Sequence, residues 1–376
     1  MNQNLKELVE VSQAYGKDKT FVIAGGGNTS FKDNDHISVK ASGVALETID
    51  EHGFVCLSRA KLKIVSSKTY NPDSTQREAE VKADLANAIV SEGKNRPSVE
   101  TSMHEIIDYQ FVVHTHPTKV NAVMCSNNAE SVCRELFGDQ SLFIPYTDPG
   151  YVLFKKVETE IALFTAKFGK APQIIFLENH GVFVAANSVS EIDDLYSSII
   201  KKIDLKISEA LPADDSKAIE SVIIDKIQEL HPGFKTFVAK GIESTLIRNY
   251  AKDQNSFLKV NTAFTPDDIV YCKAYYLFIP AQVNEQKQVE VAKELIDSYY
   301  QSYGYLPKVL MLEGKGVIAV EDSLKSVLNV LEVYSNILKI SFLSENFGGP
   351  KFMTRSQIGF IDNWEVENYR RKMAKS

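Results

Sequence analysis

Seven histidines occur in this chain: His36, His52, His104, His114, His116, His180 and His231. Two of them, His114 and His116, sit two apart in the β-branched run Phe111-Val112-Val113-His114-Thr115-His116, which Pro117 ends. Side chains alternate faces along a strand, so both imidazoles point one way and Thr115 points the other. Two such rings can hold one Zn²⁺, which favours nitrogen ligands in tetrahedral geometry. The same spacing also suits a half-exposed strand pair with no metal. His180, in the turn Asn179-His180-Gly181, would complete a three-histidine face with the fourth position open to substrate or water. Glu100 and His104, four apart, share a helix face. Glu100 is either a first-turn carboxylate that complements the helix dipole or an acid–base group beside the metal.

The elements that must position these residues are readable from periodicity. A helix is expected over 3–15, followed by the short apolar run Phe21 to Ala24 and a turn made by Gly25 to Gly27 with Asn28-Thr29-Ser30. Alternation at Ile37, Val39 and Ala41 predicts a strand broken by Ser42-Gly43. Helices are expected over 76–91 and, with Ser98 as N-cap, over 99–109. After the His114 strand, Val120, Val123 and Met124 are spaced for one helix face. Ile174 to Leu177 and Val182 to Val184 predict a hairpin, and Ser190 is expected to cap a helix running to about Ile203.

The residues Pro172 through Val184 match Pro307 through Ala319 without a gap, 135 positions apart. Pro, Leu, Glu, Gly and Val coincide, and Lys315 stands where His180 does. This echo, together with the polar, proline-containing stretch 209–217, predicts two domains. Residues 1–210 would be catalytic, and 218–376 a degenerate repeat without a metal site. The tyrosines Tyr271, Tyr275, Tyr276, Tyr299 and Tyr300 are expected in core or interface packing.

Composition bounds the class. The 376 residues are 44% hydrophobic and 24% charged, with 42 Lys+Arg against 49 Asp+Glu, which suits a globular chain of about two domains. A formal charge of −7 without a dense basic block argues against nucleic acid. Arg370, Arg371 and Lys372 are expected on a solvated helix face. No run of 18 apolar residues predicts a membrane span, and the polar N-terminus carries no signal-peptide core. Cys56, Cys125, Cys133 and Cys272 make no CxxC, so a reduced, cytoplasmic setting is expected.

Five blocks in order carry a resemblance. They are Gly27-Asn28-Thr29-Ser30, Val39-Lys40-Ala41-Ser42-Gly43, Glu100 with His104, His114-Thr115-His116-Pro117, and Asn179-His180-Gly181-Val182. Together they resemble the class II aldolase/adducin family of sugar-phosphate aldolases and epimerases. Further stretches resemble the aldolase portion of bifunctional rhamnulose-phosphate aldolase/lactaldehyde dehydrogenase proteins. These are Arg96 to Thr101, Pro145 to Gly150, Leu306 to Leu310, and Gly348 to Pro350 on to Trp364-Glu365. The dehydrogenase part is not expected here, and no GxGxxG follows a strand, so no dinucleotide site is expected.

The resemblance implies an α/β fold: a central, mostly antiparallel sheet flanked by helices, with a second, smaller domain. It implies one Zn²⁺ on His114, His116 and His180, Glu100 as the acid–base residue, and Asn28 as a catalytic hydrogen-bond donor to the enediolate oxygen. A phosphate pocket would use Gly27, Asn28, Ser42, Gly43 and Ser98, with Lys40 as a possible positive charge. The implied reaction is reversible cleavage of L-rhamnulose or L-fuculose 1-phosphate to dihydroxyacetone phosphate and an aldehyde, in a homo-oligomer. A 4-epimerase and a non-catalytic adducin-like binding module are the alternatives; the related epimerases carry Asp where this chain has Glu100.

Overall fold

Seven short runs rich in β-branched and aromatic residues form one sheet: β1 (Asn28–Lys32), β2 (His36–Lys40), β3 (Phe54–Ser58), β4 (Phe111–Thr115), β5 (Leu142–Ile144), β6 (Ile174–Leu177) and β7 (Gly181–Ala186). A computed structural model describes residues 3–93 and 95–363. The order is β3-β2-β1-β4-β7-β6-β5. Every pairing is antiparallel except β5 with β6. The expected mixed α/β architecture, a mostly antiparallel sheet flanked by helices, is present. On one face, Ile37, Val39, Val55, Leu57, Val112, Ile175, Phe183 and Ala185 pack with Leu153, Phe154 and Val157 of the helix Tyr151–Phe168. That helix buries the stripe an amphipathic segment must hide, which is where most of its stability arises. On the other face the helix Val189–Asp204 buries Ile192, Tyr196, Ile199 and Ile203.

Three local expectations differ from the structure. The helix expected over 99–109 is Thr101–Ile106. It starts later because Ser98 Oγ accepts from the Glu100 amide at 3.2 Å, which places Glu100 itself at the N-cap. It ends earlier because Lys32, from β1, donates to the carbonyls of His104 and Ile107, occupying acceptors that another helical turn would use. The last helix of the unit is capped by Ser188, not Ser190, since the Ser188 hydroxyl accepts from Glu191 N at 3.3 Å. The turn expected to include Asn28-Thr29-Ser30 ends sooner, because these residues begin β1 and pair with β4, while in the preceding apolar run Phe21 N and Val22 N both donate to Asp18 O. Trp364, Glu365, Arg370, Arg371 and Lys372 lie outside the described residues.

The chain divides into two units. One contains the residues up to Met124 and Asn128–Lys206; the other contains Cys125–Asn127 and Ile207–Asp362. The second has its own sheet of β8 (Lys217–Ile219), β9 (Val238–Glu243), β10 (Leu277–Ile279), β11 (Val309–Leu312) and β12 (Gly316–Glu321), in the order β10-β11-β12-β9-β8. Its own core gathers Ile223, Phe234, Ile296, Leu310, Ile318 and Val320. The strand order repeats β5-β6-β7-β4-β1, including the one parallel pair. Backbone bonds repeat with it. Glu178 N donates to Ile144 O at 3.0 Å, and Glu313 N to Ile279 O at 3.0 Å. Asn179 N reaches Met124 O at 3.0 Å, and Gly314 N reaches Ala251 O at 2.8 Å. Even a side-chain bond recurs, since Glu178 accepts from Tyr146 N at 2.9 Å and Glu313 from Ala281 N at 2.8 Å.

Candidate metal centre

Strand β4 delivers the first two histidines. His114 is fully buried, and Thr115 points to the opposite face, where its hydroxyl lies 2.8 Å from Tyr196 Oη. His116 follows the strand end. The β6–β7 hairpin delivers the third. Asn179 turns the chain at φ +53°, a left-handed conformation that asparagine tolerates. Asn121 Nδ2 then pins the His180 carbonyl at 3.1 Å.

The next residue has to be glycine. A Cβ on Gly181 would stand 2.5 Å from His116 Cδ2 and 2.7 Å from Thr115 O. Gly181→Ala is therefore expected to push the His116 ring off the centre and weaken metal affinity by about tenfold or more, measured by titration against a chelator. Unchanged affinity would show that the contact is not limiting.

The three imidazoles form a nearly equilateral triangle. Ring centroids are 4.8 Å apart for His114 and His116, 5.0 Å for His114 and His180, and 5.1 Å for His116 and His180. One nitrogen from each lies within 4.8 Å of the others, and no other group of three such side chains is found among the described residues. Tetrahedral zinc with bonds of about 2.1 Å sets its nitrogens roughly 3.4 Å apart. His114 Nε2 and His116 Nε2 are 3.0 Å apart. His114 Nδ1 donates to Val182 O at 3.0 Å, which leaves the Nε2 lone pair facing inward. The ring also stacks on Phe183, with centroids 4.1 Å apart. Burial holds His114 well below the usual imidazole range, so it stays in the neutral form a metal requires. The donor set, its tautomer and its spacing fit a divalent metal.

Glu100 completes the centre. Its Oε1 is 3.5 Å from both His114 Nε2 and His180 Nε2, and Asn28 Nδ2 donates to its Oε2. Burial works against ionisation of Glu100. The His114 and His180 imidazoles and the Asn28 bond outweigh it and hold the carboxyl at about 2. Register explains why Asn28 is at hand: on β1 it lies directly opposite His114 of β4.

The residues expected to grip phosphate are arranged around Ser98. Lys40 O accepts from Ser98 N at 3.3 Å, Ala41 bridges to Pro97, and Ser42 N donates to Arg96 O at 2.8 Å. Ser42 and Gly43 thus adjoin Ser98, two residues from Glu100. Lys40 is only 5% exposed, not the solvent-facing lysine that a strand position suggests. Gly27 adopts φ +73°, and a Cβ there would stand 2.9 Å from His114 O, so its close packing is what requires glycine. Sequence reasoning gave no role to Ser30 or Lys32, although Asn28, Ser30 and Lys32 alternate on β1 and so share a face.

In the second unit the corresponding positions carry other chemistry. Ile318 pairs with Gly241 as Phe183 pairs with His114. Gly241, Glu243 and Lys315 therefore stand where His114, His116 and His180 do. Glu243 is engaged by Lys217 at 3.0 Å and Arg248 at 2.8 Å.

Comparison with known proteins places residues 6–198 in the family described as Class II Aldolase and Adducin N-terminal domain. The chain is 22% identical over 414 residues to the uncharacterized oxidoreductase YuxG of Bacillus subtilis (strain 168). The match covers 99% of this chain and 59% of YuxG, so the chain spans about three-fifths of that relative's length. Among solved structures, it is similar to the N-terminal class II aldolase domain of a conserved protein from Thermoplasma acidophilum. That match has 26% identity and a TM-score of 0.47, covering 55% of this chain and 94% of that one. An L-fuculose-1-phosphate aldolase from Thermus thermophilus matches at 13% identity and a TM-score of 0.35, covering 55% of this chain and 94% of that one. No helix among the described residues is long and apolar enough to cross a membrane.

Proposed function

Because the chain belongs to the class II aldolase and adducin N-terminal domain family over residues 6–198, we propose that its first unit is a zinc-dependent aldehyde-lyase. It cleaves a ketose 1-phosphate reversibly to dihydroxyacetone phosphate and an aldehyde. The observation that carries this reading is the Glu100 carboxylate set 3.5 Å from two of three converging imidazoles. One zinc per chain would sit on His114, His116 and His180 and supply Lewis acidity toward a substrate carbonyl. Glu100 exchanges the proton at the substrate carbon next to that carbonyl. Asn28 orients Glu100 through its amide donor. Gly27, Ser42, Gly43 and Ser98, with the charge of Lys40, hold the phosphate, so that binding energy far from the reacting carbon orients the sugar.

L-Rhamnulose 1-phosphate is the first candidate substrate, from the resemblance to the bifunctional aldolase/dehydrogenase proteins, and L-fuculose 1-phosphate the second. Glutamate at position 100 favours aldolase over 4-epimerase. The converged ligands favour an enzyme over an adducin-like binding module. The second unit is read as a degenerate repeat that binds no zinc, since a lysine, a paired glutamate and a glycine replace the ligands. The protein is read as a cytoplasmic homo-oligomer.

The test is zinc content after dialysis, with triose-phosphate release from both sugars followed through a coupled dehydrogenase. One zinc per chain and release from at least one sugar are expected. Metal-free protein that releases no triose phosphate refutes the reading.

A further inference from the structure

Strand β1 presents Asn28, Ser30 and Lys32 on one face, and all three meet the helix Thr101–Ile106. Asn28 Nδ2 donates to Glu100. Ser30 Oγ lies 2.7 Å from His104 Nδ1, and His104 Nε2 bonds Asn28 Oδ1. Lys32, 3% exposed, closes the helix end on the carbonyls of His104 and Ile107. Burying an ammonium costs several kcal/mol unless its protons find acceptors, and these carbonyls are those acceptors. This helix is therefore fixed to β1 at both ends, with His104 between.

The hydrogen-bond polarity of this chain follows from Glu100. An amide has one donor end and one acceptor end. An ionised carboxylate takes the Asn28 NH₂, which turns Oδ1 toward His104. Only a protonated Nε2 can donate to Oδ1, so Nδ1 must accept from the Ser30 hydroxyl. His104 is fully buried and packs edge-on against Phe183, with centroids 5.4 Å apart. Burial pushes its pKa down to about 3, so the ring is neutral and carries one proton. Rotation of the Asn28 amide would bring oxygen against the Glu100 carboxylate and leave the His104 proton without an acceptor.

We propose that His104 is a positioning residue: its Nε2–H locks the Asn28 amide with NH₂ toward Glu100, and so sets where the acid–base carboxylate points. The kinetic part of this inference rests on the aldolase reading; the ring tautomer does not.

Two near-isosteric substitutions separate the roles. His104→Gln keeps a donor near the Nε2 position, whereas His104→Asn keeps only a group near Nδ1. Both variants of the full chain, loaded with Zn²⁺, are expected to bind one metal. With whichever of L-rhamnulose or L-fuculose 1-phosphate the wild type cleaves, kcat should fall about 10- to 100-fold in His104→Asn and no more than about threefold in His104→Gln, with KM little changed in either. In an Asn28→Ala background, His104→Asn should cost nothing further. Equal loss in the two variants, or a full additional loss in that background, overturns the proposal.

Nitrogen-15 NMR of labelled imidazoles gives the second arm, which needs no substrate. The His104 ring is the one missing in His104→Gln. If that variant does not fold, it is the ring that contacts Phe183 without coordinating added Zn²⁺. It should be the neutral Nε2–H tautomer, and an Nδ1–H tautomer overturns the proposal. A wild type that cleaves neither sugar yet shows the Nε2–H ring defeats the aldolase reading and leaves the hydrogen-bond chain standing.

Discussion

His114→Ala is expected to abolish stoichiometric zinc binding and to lower activity by at least about 10³-fold, the scale of several kcal/mol of lost Lewis-acid stabilisation. His114 is the ligand with the least freedom. It is fully buried, stacked on Phe183 and tied through Nδ1 to Val182 O, so its Nε2 is aimed before any metal arrives. Removing it leaves two imidazoles whose rings lie 5.1 Å apart, too few ligands for a closed tetrahedral face. Metal analysis after dialysis reads the first effect, and triose-phosphate release reads the second. His231→Ala, in the second unit, is the matched control and should keep its zinc. Full metal content in His114→Ala would overturn the assignment of the centre.

Glu100→Gln should separate metal from proton transfer. The amide is nearly isosteric, and Glu100 is not among the three converging ligands, so zinc is expected to remain at one per chain. The proton acceptor is gone, and kcat should fall by about 10²- to 10⁴-fold, the usual contribution of a positioned acid–base group. With Asn28 donating to it and a divalent cation held on the adjoining imidazoles, the Glu100 carboxylate stays ionised throughout the ordinary working range. Wild-type activity should therefore show no acid limb from Glu100 between about pH 4 and 7, where an unperturbed carboxyl would begin to protonate. Loss of zinc in Glu100→Gln, or activity close to wild type, contradicts this role.

The histidine pair was legible in the sequence because a strand repeats every two residues, so His114 and His116 needed only local information. His180 was legible for a similar reason, since Asn-His-Gly between two apolar runs marks a tight hairpin. What the chain could not reveal locally was contact between distant segments. The helix at Thr101 was read too long because Lys32, more than 70 positions earlier, closes its last carbonyls. The link from His104 to Asn28 depends on β1 lying against β4, a pairing that no residue pattern announces. The echo at 172–184 was visible because glycine and proline persisted there. The rest of the likeness between the two sheets resides in strand order and main-chain hydrogen bonds, which tolerate almost any side chain of suitable size.

The two hairpins bear on how variants of this protein would be detected. His180 and Lys315 occupy turns held by the same amide-to-carbonyl bonds, at 3.2 Å from His180 N to Leu177 O and 3.1 Å from Lys315 N to Leu312 O. The turn closes equally well around either side chain. A change confined to the His180 side chain would leave expression level, solubility and the melting of the metal-free protein close to the parent's. Screens that score abundance would pass such a chain as healthy while its chemistry was already gone.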